Sequence, residues 1–369
     1  MVLSSTTVNR ISLLSLITSL LTGVGLLILL PPAEESEYGR AEASQRARPP
    51  QISSRAAVLE RASKQDLLVA GYSVIEEAML EGIFPKFEAE WRRSHSDKIV
   101  CHGWFGSLGE ITNELANGLP AHVAILSAEI GVQELAVAGV IPWEEQQALP
   151  HDGILGRSPV VIVTREGNPL DICSFFELAR PELRVIQPDP LVSGSGVWAI
   201  FAEFGAGRRM GGSWNSGCEL VIGIARNVSV KVSSALEARS LFESGIGDAL
   251  VTLEQDALRS IARGALHGTI VYPPSTVMSE PSLVVIDRQV TADDREKVDA
   301  FTQFIWSSEG QQTLAEYGLR RVDGEPEEGE GFPAIEDPFL VDDLGGWKAA
   351  KRDLIDGLWR YRVVRTLRR

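Results

Sequence analysis

The chain has 369 residues, of which 44% are apolar and 23% charged, which is an ordinary globular composition with room for two domains. Its formal net charge is −15, and this argues against nucleic acid as a partner, because nucleic-acid binding needs a basic surface. Any anionic ligand would have to be held by local dipoles against the overall field of the protein.

An uncharged, mostly apolar run at residues 11–30 follows Arg10. As a helix it would be about 30 Å long, the thickness of a bilayer core. No clear small-residue cleavage motif follows it, so both an uncleaved membrane anchor and a cleaved signal peptide stay open. Either alternative predicts an extracytoplasmic body, in the periplasm or at the cell surface. Residues 31–65 are rich in Pro, Glu, Ala, Ser and Arg and predict a flexible linker.

The chemistry-bearing residues do not indicate an enzyme. Cys101, Cys173 and Cys218 are the three cysteines, which allows at most one internal disulfide and favours buried thiols. Cys101 and His102 are neighbours on a predicted strand, so their side chains point to opposite faces and cannot pair as nucleophile and base. The histidines show no paired metal spacing, and the carboxylates show no catalytic pattern. We expect no enzymatic activity, no metal and no cofactor.

Strands alternate with helices along the body of the chain. The predicted strands cover residues 66–72, 98–102, 122–126, 159–165, 183–186, 228–232, 249–253 and 281–287. The predicted helices cover residues 74–93, 110–117, 293–306 and 308–317, and residues 103–109 are expected to form a glycine-rich loop. Such alternation predicts a parallel sheet, whose loops gather along one carboxyl edge. Residues 347–369, with eight Lys or Arg and two Asp, predict an amphipathic helix that packs on the body or contacts anionic lipid.

The small-residue stretch at 191–198, Leu-Val-Ser-Gly-Ser-Gly-Val-Trp, lies between a predicted strand and a predicted helix. The first turn of a helix has unpaired backbone amides and a partial positive charge. Ser193 and Ser195 can add hydroxyl donors, and Gly194 and Gly196 allow close approach to the backbone. The pattern indicates an anion site, with a capped helix start that binds nothing as the alternative.

From about Leu67 to Gly357 the chain resembles the sulfate- and thiosulfate-binding proteins of ATP-driven importers. The order and spacing of several short motifs carry the resemblance: Gly71-Tyr72, His102-Gly103 with Gly106-Ser107, residues 161–169 (Val-Ile-Val-Thr-Arg-Glu-Gly-Asn-Pro), Ser193-Gly194 with Trp198, residues 245–248 (Gly-Ile-Gly-Asp), residues 273–277 (Pro-Pro-Ser-Thr-Val) with Glu280-Pro281, residues 308–312 (Ser-Glu-Gly-Gln-Gln) and residues 342–347 (Asp-Asp-Leu-Gly-Gly-Trp). The resemblance implies an α/β, two-lobe periplasmic-binding-protein-like fold of type II. In that fold each lobe is a mostly parallel sheet flanked by helices, and the ligand binds in the cleft between lobes.

The resemblance also implies how a ligand is held. The family binds a tetrahedral oxyanion with neutral donors, namely helix N-termini, serine hydroxyls and a tryptophan indole. The residues of this chain that fall on or beside such positions are Ser73, Ser107, Ser193, Gly194, Ser195, Ser233 and Ser234. We expect the anion, most readily sulfate or thiosulfate, to lie among them, and we expect Glu110 to face solvent.

The chain departs from the family pattern at several of these positions. Ser73 replaces an aspartate, Ala235 stands where the family has an arginine, and Leu253 stands at the indole position. A lost charge-assisted hydrogen bond costs roughly 1.5–3 kcal/mol, or about ten- to a hundredfold in affinity. The hydroxyls of Ser233 and Ser234 are expected to replace part of this loss.

These inferences define a domain plan and two functional alternatives. We expect an anchor or signal at 1–30, a linker at 31–65, a first lobe built from 66–158 and 283–369, and a second lobe at 159–282. The first alternative is a monomeric solute-binding protein that delivers its oxyanion to the membrane permease of an importer. The second is a membrane-anchored sensor or scaffold of the same fold that binds another small ligand or none.

Overall fold

A computed structural model describes residues 66–142, 149–323 and 331–367 of the chain. Within these ranges, no helix has both the length and the apolarity that a membrane crossing requires. The predicted anchor or signal at residues 11–30, the predicted linker and the acidic stretch at 325–330 lie outside the described residues.

The described chain alternates strands and helices in the order that the sequence predicts for an α/β protein. The strands are β1 (Leu67–Tyr72), β2 (Cys101–Gly106), β3 (Val123–Leu126), β4 (Ser158–Thr164), β5 (Val185–Pro188), β6 (Val228–Val232), β7 (Ala249–Leu253), β8 (Thr269–Val271), β9 (Ser275–Ser279), β10 (Ser282–Val285) and β11 (Asp337–Phe339). The helices are α1 (Phe84–Ser94), α2 (Leu108–Ala116), α3 (Glu129–Val137), α4 (Gly194–Gly211), α5 (Trp214–Asn227), α6 (Ala235–Glu243), α7 (Glu254–Ala262), α8 (Ala292–Ile305), α9 (Ser308–Glu316) and α10 (Gly346–Ala350). A π-helical segment, Ala78–Ile83, leads into α1. Helix α10 continues through a second π-helical segment, Lys351–Val363, into α11 (Val364–Leu367).

The strands form two sheets. The four-stranded sheet has the order β10-β3-β1-β2, in which β1 pairs parallel with β2 and β3 while β10 is antiparallel. The seven-stranded sheet has the order β11-β9-β4-β7-β5-β6, and β8 also pairs with β4. In it β5 runs parallel to both β6 and β7. The carboxyl ends of β1, β2 and β3 therefore share one edge, and so do those of β5, β6 and β7.

The second strand differs from the sequence prediction. It was expected at residues 98–102 with a glycine-rich loop after it, yet β2 starts at Cys101 and runs to Gly106. Ladder bonding to β1 explains the difference, because Trp104, Phe105 and Gly106 lie opposite Ala70, Gly71 and Tyr72. Backbone pairing with a central strand stabilises an extended conformation in residues whose local pattern reads as loop.

The chain passes between the two sheets near residues 155–158 and again near 279–282. At the first passage the Leu155 amide donates to the Pro281 carbonyl at 2.9 Å, and at the second β9 is followed directly by β10. The Arg157 amide also donates to the Arg320 carbonyl at 2.8 Å, and the Arg320 guanidinium forms a buried ion pair with Glu254 at 2.7 Å. These contacts join the crossover segments to each other.

The C-terminal part of the chain contacts both sheets. Residues 283–369 were expected in the first lobe, and α8 and α9 do pack beside the four-stranded sheet through Phe301 and Leu314. Strand β11, however, pairs with β9 of the seven-stranded sheet, and Trp347 packs edge-on against Trp198 of α4 at 5.0 Å. The chain therefore crosses between the sheets a third time. After this crossing, the C-terminal segment covers apolar surface on α4. No local sequence pattern indicates that crossing.

Helix α4 is the central element of the larger core. Every residue from Gly194 to Gly207 is buried, which is unusual for a helix of a globular protein and requires packing partners on all sides. Small residues allow the close packing: a Cβ on Gly205 would lie 2.0 Å from the Phe339 ring, and one on Gly207 would lie 3.0 Å from Gly217 of α5. Its N-terminus is thereby held rigidly at the edge where both sheets end.

Candidate functional site

A small pocket lies where the carboxyl ends of strands from both sheets meet. Its walls come from the last residues of β1 and β2 and from the segments that follow β1, β2, β3, β5 and β6, as parallel-strand topology predicts. The lining residues are Tyr72, Ser73, Val74, Gly106, Ser107, Leu108, Ser127, Ser193, Gly194, Ser195, Ser234 and Ala235. None of them carries a formal charge, and most present a hydroxyl or a backbone amide.

Three helix N-termini point at this pocket. Ser107, Ser193 and Ser234 are the N-cap residues of α2, α4 and α6, and each has extended backbone dihedrals. The first amides of each helix have no acceptor within the helix, and the aligned peptide dipoles place partial positive charge there. The pocket therefore concentrates hydrogen-bond donors and positive potential without a cationic side chain.

The capping bonds leave the serine hydroxyl protons available. Ser107 Oγ accepts from the Glu110 amide at 3.3 Å, and Ser234 Oγ accepts from the Glu237 amide at 3.2 Å. Because each oxygen acts as acceptor in the cap, its own O–H can still donate to a ligand. The Ser193 side chain makes no cap bond at all, so α4 presents the least occupied N-terminus of the three.

Ser233 differs from the other predicted site residues. Its hydroxyl donates to the Glu237 carboxylate at 2.8 Å, and its amide donates to the same oxygen at 2.7 Å. Both donors are thus engaged within α6, and Ser233 is not among the residues that line the pocket. The structure brings together Ser73, Ser107, Ser193, Gly194, Ser195 and Ser234, and it places Ser233 outside this group. Ser234, not Ser233, is the N-cap residue of α6, and this difference of one position separates a residue that lines the pocket from one that does not.

Two carboxylates lie at the N-termini of the site helices. Glu110 is exposed, as expected, but its side chain folds back and accepts from the Ser107 amide at 2.8 Å. Backbone and side-chain hydrogen bonds from Ser233 lower the pKa of Glu237, so this carboxylate is ionised at neutral pH. An anion in the pocket would therefore meet donors at short range and two negative charges one helical turn away.

Ser127 is a wall residue that the sequence analysis missed. It directly follows β3, so the same edge-of-sheet argument that selected Ser73 and Ser107 could have selected it. The Trp198 indole nitrogen donates to the Ser127 carbonyl at 2.6 Å, and this buried bond links α4 to the four-stranded sheet. The family motif Ser193-Gly194 with Trp198 thus has a structural meaning here: the indole points at the backbone beside the pocket.

The glycines of the 191–198 stretch are required by close protein contacts. A Cβ on Gly194 would lie 2.0 Å from Ser127 Oγ, and a Cβ on Gly196 would lie 2.5 Å from the Pro188 carbonyl. Gly194 thus allows the two sheets to approach at the pocket, and Gly196 allows the loop after β5 to fold onto α4. This extends the expected role of these glycines, which was close approach of a ligand to the backbone.

Two further residues near the boundary between the sheets are Leu253 and Tyr72, of which only Tyr72 lines the pocket. Leu253, at the indole position of the family, is buried and starts α7, and it does not line the pocket. Burial raises the pKa of the Tyr72 phenol far above its usual range, and its hydroxyl donates to Gln255 at 3.0 Å. The phenol therefore stays neutral and joins β1 to α7 across the boundary between the sheets.

Further contacts between the elements of the two sheets involve residues outside the pocket lining. Glu77, which follows β1, binds both Arg259 and Arg263 of the α7 region, the latter at 2.7 Å. The Gly109 amide donates to the Val192 carbonyl at 3.4 Å. With the Trp198–Ser127 bond, these contacts hold together the two sheets that form the cavity of about 10 Å³.

Cys101 and His102, the neighbours on β2, have separate surroundings. Burial, with the nearby carboxylates of Glu88 and Asp66, raises the pKa of the Cys101 thiol well above its usual range. His102 instead binds Asp66 at 3.0 Å. In the described ranges, no group of three or more His, Cys, Asp and Glu side chains is arranged to hold a metal ion.

The chain is similar in sequence to several known solute-binding proteins. Residues 67–320 match the family model described as bacterial extracellular solute-binding protein. The chain is 30% identical over 274 residues to a sulfate-binding protein of Salmonella typhimurium, covering 72% of this chain and 83% of the relative. It is 29% identical over 299 residues to a sulfate-binding protein of Synechococcus elongatus, covering 80% and 85%. A thiosulfate-binding protein of Pseudomonas aeruginosa is 28% identical over 302 residues, with 79% and 90% covered.

Solved structures show the same fold. The sulfate-binding protein SubI from Mycobacterium tuberculosis superimposes with a TM-score of 0.71 at 28% identity, covering 79% of this chain and 99% of that one. A periplasmic thiamin binding protein superimposes with a TM-score of 0.59 at 16% identity, which shows the fold alone. The two mixed sheets flanked by helices match the type II periplasmic-binding fold that the sequence predicts. By the extent of the family match and the similarity to its curated members, the chain belongs to the bacterial extracellular solute-binding proteins.

Proposed function

We propose that this protein captures a tetrahedral oxyanion, most readily sulfate or thiosulfate, outside the cytoplasmic membrane and delivers it to an ATP-driven importer. The observation that carries the proposal is the uncharged pocket of hydroxyls and helix N-termini that both sheets build together. The names of the relatives, sulfate-binding and thiosulfate-binding protein, support the same ligand class.

The donor set suits a fully ionised anion. Sulfate has only acceptor atoms at neutral pH, so each of its oxygens can take a hydrogen bond from an amide or a serine hydroxyl. Such charge-assisted bonds are shorter and stronger than neutral ones. Because the protein as a whole carries a net charge of −15, this local concentration of donors has to overcome an unfavourable long-range field.

The pocket must widen to take such a ligand. Its volume of about 10 Å³ is close to what one water molecule needs, and a tetrahedral oxyanion is larger. The walls belong to two sheets joined by crossover segments, so a small change in their separation enlarges the pocket without unfolding either one. We therefore propose that the anion enters when the sheets move apart and is enclosed when they approach.

The missing family donors set the expected affinity. Leu253 offers no side-chain donor and Ala235 offers only its backbone, so the site has fewer donors than the family pattern implies. Each lost bond to a charged ligand weakens binding by roughly ten- to a hundredfold. We expect the dissociation constant for sulfate to be higher than a full donor set would give.

Thermal denaturation of the full-length chain tests this proposal. Sulfate, thiosulfate, molybdate and tungstate are added at millimolar concentration, and sodium chloride of equal ionic strength is the control. A ligand at about a hundredfold its dissociation constant stabilises the folded state by about 2.7 kcal/mol. If none of the four oxyanions raises the melting temperature above the chloride control, the oxyanion proposal is wrong.

Family membership also supports a proposal about the location of this protein and its membrane partner. We propose that residues 11–30 tether a monomeric binding domain to the outer face of the membrane, beside the permease of an importer. Membrane fractionation and size-exclusion chromatography of the full-length chain test both parts. Recovery in the soluble fraction with an N-terminus after residue 31 would exclude the tether, and elution as a dimer would exclude the monomer.

A membrane-anchored sensor or scaffold is the second candidate. The narrow pocket and the loss of a side-chain donor at Leu253 favour it, because both weaken capture of an anion. Sulfate uptake by cells that lack the protein separates the two candidates. Unchanged uptake in those cells would favour the sensor, whereas reduced uptake that the full-length chain restores would support the importer component.

A further inference from the structure

One hydroxyl in the pocket wall has no role in the predicted site or in the capping of any helix. We propose that Ser127 Oγ is an additional hydrogen-bond donor to the bound anion and that the Trp198 indole positions it. This inference rests on the proposed function, since it concerns the same ligand in the same pocket.

The Ser127 side chain is held against the start of α4. The residue is 4% exposed and lines the pocket, and its Oγ would lie 2.0 Å from a Cβ placed on Gly194. Its oxygen therefore lies over the Gly194 Cα, beside the unpaired first amides of α4. Among the described residues no hydrogen bond is formed by this hydroxyl, and since Ser127 lines the pocket its O–H is available to a ligand there.

The backbone of Ser127 is fixed from two directions. The preceding residue, Leu126, lies opposite Ser282 in the β3–β10 ladder. The carbonyl of Ser127 accepts from Trp198 Nε1 at 2.6 Å. Trp198 is 0% exposed and is itself wedged edge-on between Phe201 and Trp347, at ring separations of 6.0 and 5.0 Å. A support of this kind fixes the backbone from which the hydroxyl projects toward the pocket, which favours a ligand contact.

A purely structural role does not explain the serine. Its side chain makes no bond that holds the fold together in the described residues, and its Oγ occupies space beside Gly194 that an alanine would leave open. A donor there has a clear use, because Leu253 supplies none from the other sheet. The anion would thus be held by Ser127 from the four-stranded sheet and by the α4 amides from the seven-stranded sheet. Here the indole acts through the serine instead of contacting the ligand.

The test compares sulfate binding by calorimetry in full-length wild type and three variants. Ser127→Ala is expected to raise the dissociation constant by roughly tenfold with little change in the ligand-free melting temperature. Ser127→Cys keeps a side chain of similar size but only a weak donor, so it is expected to behave like Ser127→Ala. Ser279→Ala is the matched control, because this buried β9 hydroxyl also lacks a partner but lies outside the pocket.

Trp198→Phe tests the positioning role through a double-mutant cycle. Phenylalanine removes the indole N–H that holds the Ser127 carbonyl, so sulfate binding should weaken in the presence of Ser127. In the Ser127→Ala background the same change should have little further effect, because the group it positions is gone. Full additivity would mean that Trp198 acts only on the fold, and the positioning role would be wrong.

The outcomes separate this inference from the proposed function. If wild type binds sulfate and both Ser127 variants bind it equally well, the inference is wrong and the proposed function stands. If wild type binds no oxyanion, both are wrong. If Ser127→Ala is unstable, Ser127→Cys decides: wild-type affinity in that variant would overturn the inference, and a roughly tenfold loss would support it.

Discussion

At the scale of single residues, the site combines donors for an anion with two carboxylates of the same sign as the ligand. Glu110 accepts from the Ser107 amide, so this amide is engaged by the protein's own carboxylate. The arrangement stabilises α2 as a capping box, at some cost to any anion nearby. Glu110 is an exposed residue, yet its carboxylate accepts the hydrogen bond from Ser107 that completes the capping box of α2, beside the pocket.

The charge of Glu110 can be removed without removing its hydrogen bond. In Glu110→Gln the amide oxygen can still accept from Ser107, while the repulsion of the ligand disappears. We expect the dissociation constant for sulfate to fall by about two- to fivefold at low ionic strength and by less at high salt. Isothermal titration calorimetry measures this change. Glu309→Gln, at the exposed start of α9, is the control, and an equal gain there would show a general charge effect.

Glu203 lies fully buried on α4, and within the described structure no hydrogen bond of normal geometry reaches either of its carboxyl oxygens. Burial raises the pKa of this carboxyl well above its ordinary value of 4.5, and the nearby Gln187 amide offsets the effect only in part. The folded protein therefore holds a neutral carboxylic acid on the buried surface of the site helix.

This raised pKa predicts how stability depends on pH. The folded state keeps the Glu203 proton while the unfolded state releases it above 4.5, so the free energy of unfolding falls as pH rises. The slope is at most about 1.4 kcal/mol per pH unit. Glu203→Gln should remove this loss, and its advantage over wild type should grow as the pH rises above the ordinary carboxyl pKa of 4.5. Urea denaturation measures it, with exposed Glu219→Gln as control. A pH-independent difference would contradict the assignment.

At the scale of elements, α4 determines where the site lies. Its buried run from Gly194 to Gly207, its glycines and the absence of a side-chain cap bond from Ser193 place unpaired amides at the boundary between the sheets. Gly194 lies at the contact point, where a side chain would collide with Ser127. The start of α4 thus falls inside the 191–198 stretch, and Gly194 also serves the contact with Ser127 after β3.

A methyl group at Gly194 should prevent the sheets from approaching. Alanine suits a helix better than glycine, so Gly194→Ala is expected to keep the ligand-free melting temperature near that of wild type. Sulfate binding should weaken by more than about tenfold, because the Cβ overlaps Ser127 Oγ. Calorimetry measures both quantities.

The same collision supplies a rescue control. In Gly194→Ala/Ser127→Gly the colliding hydroxyl is absent, and affinity should recover to that of Ser127→Gly alone. If the double variant binds no better than Gly194→Ala, the loss comes from another effect of the methyl group and the contact argument is wrong.

At the scale of the whole molecule, the sheets are held together by ion pairs and by hydrogen bonds. The Glu77 cluster, formed by Glu77, Arg259 and Arg263, is the charged part of this boundary. Burial alone would raise the pKa of Glu77, but hydrogen bonds from both arginines outweigh it and lower the pKa. The carboxylate therefore favours the closed arrangement fully above its ordinary pKa of 4.5, and this contribution is lost as the pH falls through the lowered value.

Removing this carboxylate should shift the molecule toward separation of the sheets. Because the arginines are partly exposed, we expect Glu77→Gln to raise the dissociation constant for sulfate by only about two- to tenfold at neutral pH. The difference from wild type should shrink in acid, where Glu77 is protonated. Asp248→Asn removes an ion pair with Arg184 within the seven-stranded sheet and is the matched control. An equal effect of both variants on affinity would contradict a role in closure.

The sequence by itself determined the class of fold and the edge that carries the site. Alternating strands and helices predict parallel pairing, which β1 makes with β2 and β3 and β5 makes with β6 and β7, although both sheets also contain antiparallel pairs. The polar residues after these parallel strands, such as Ser73, Ser107 and Ser193, then lie at one edge by topology. Local patterns carry this information because strand direction and helix capping depend on neighbouring residues. The family motifs added the ligand class for the same reason, since they are local groups at defined spacing.

Only the tertiary structure decided which of these groups meet. Ser127 packs on Gly194 and bonds to Trp198 from far along the chain, and such pairing depends on how two sheets are stacked. Ser233 and Ser234 have the same local chemistry, yet only Ser234 reaches the pocket, because the first turn of α6 determines the direction of each side chain. Strand β11 joins the seven-stranded sheet because α4 requires an apolar cover. These outcomes depend on packing between distant segments, and packing is a property of the assembled core.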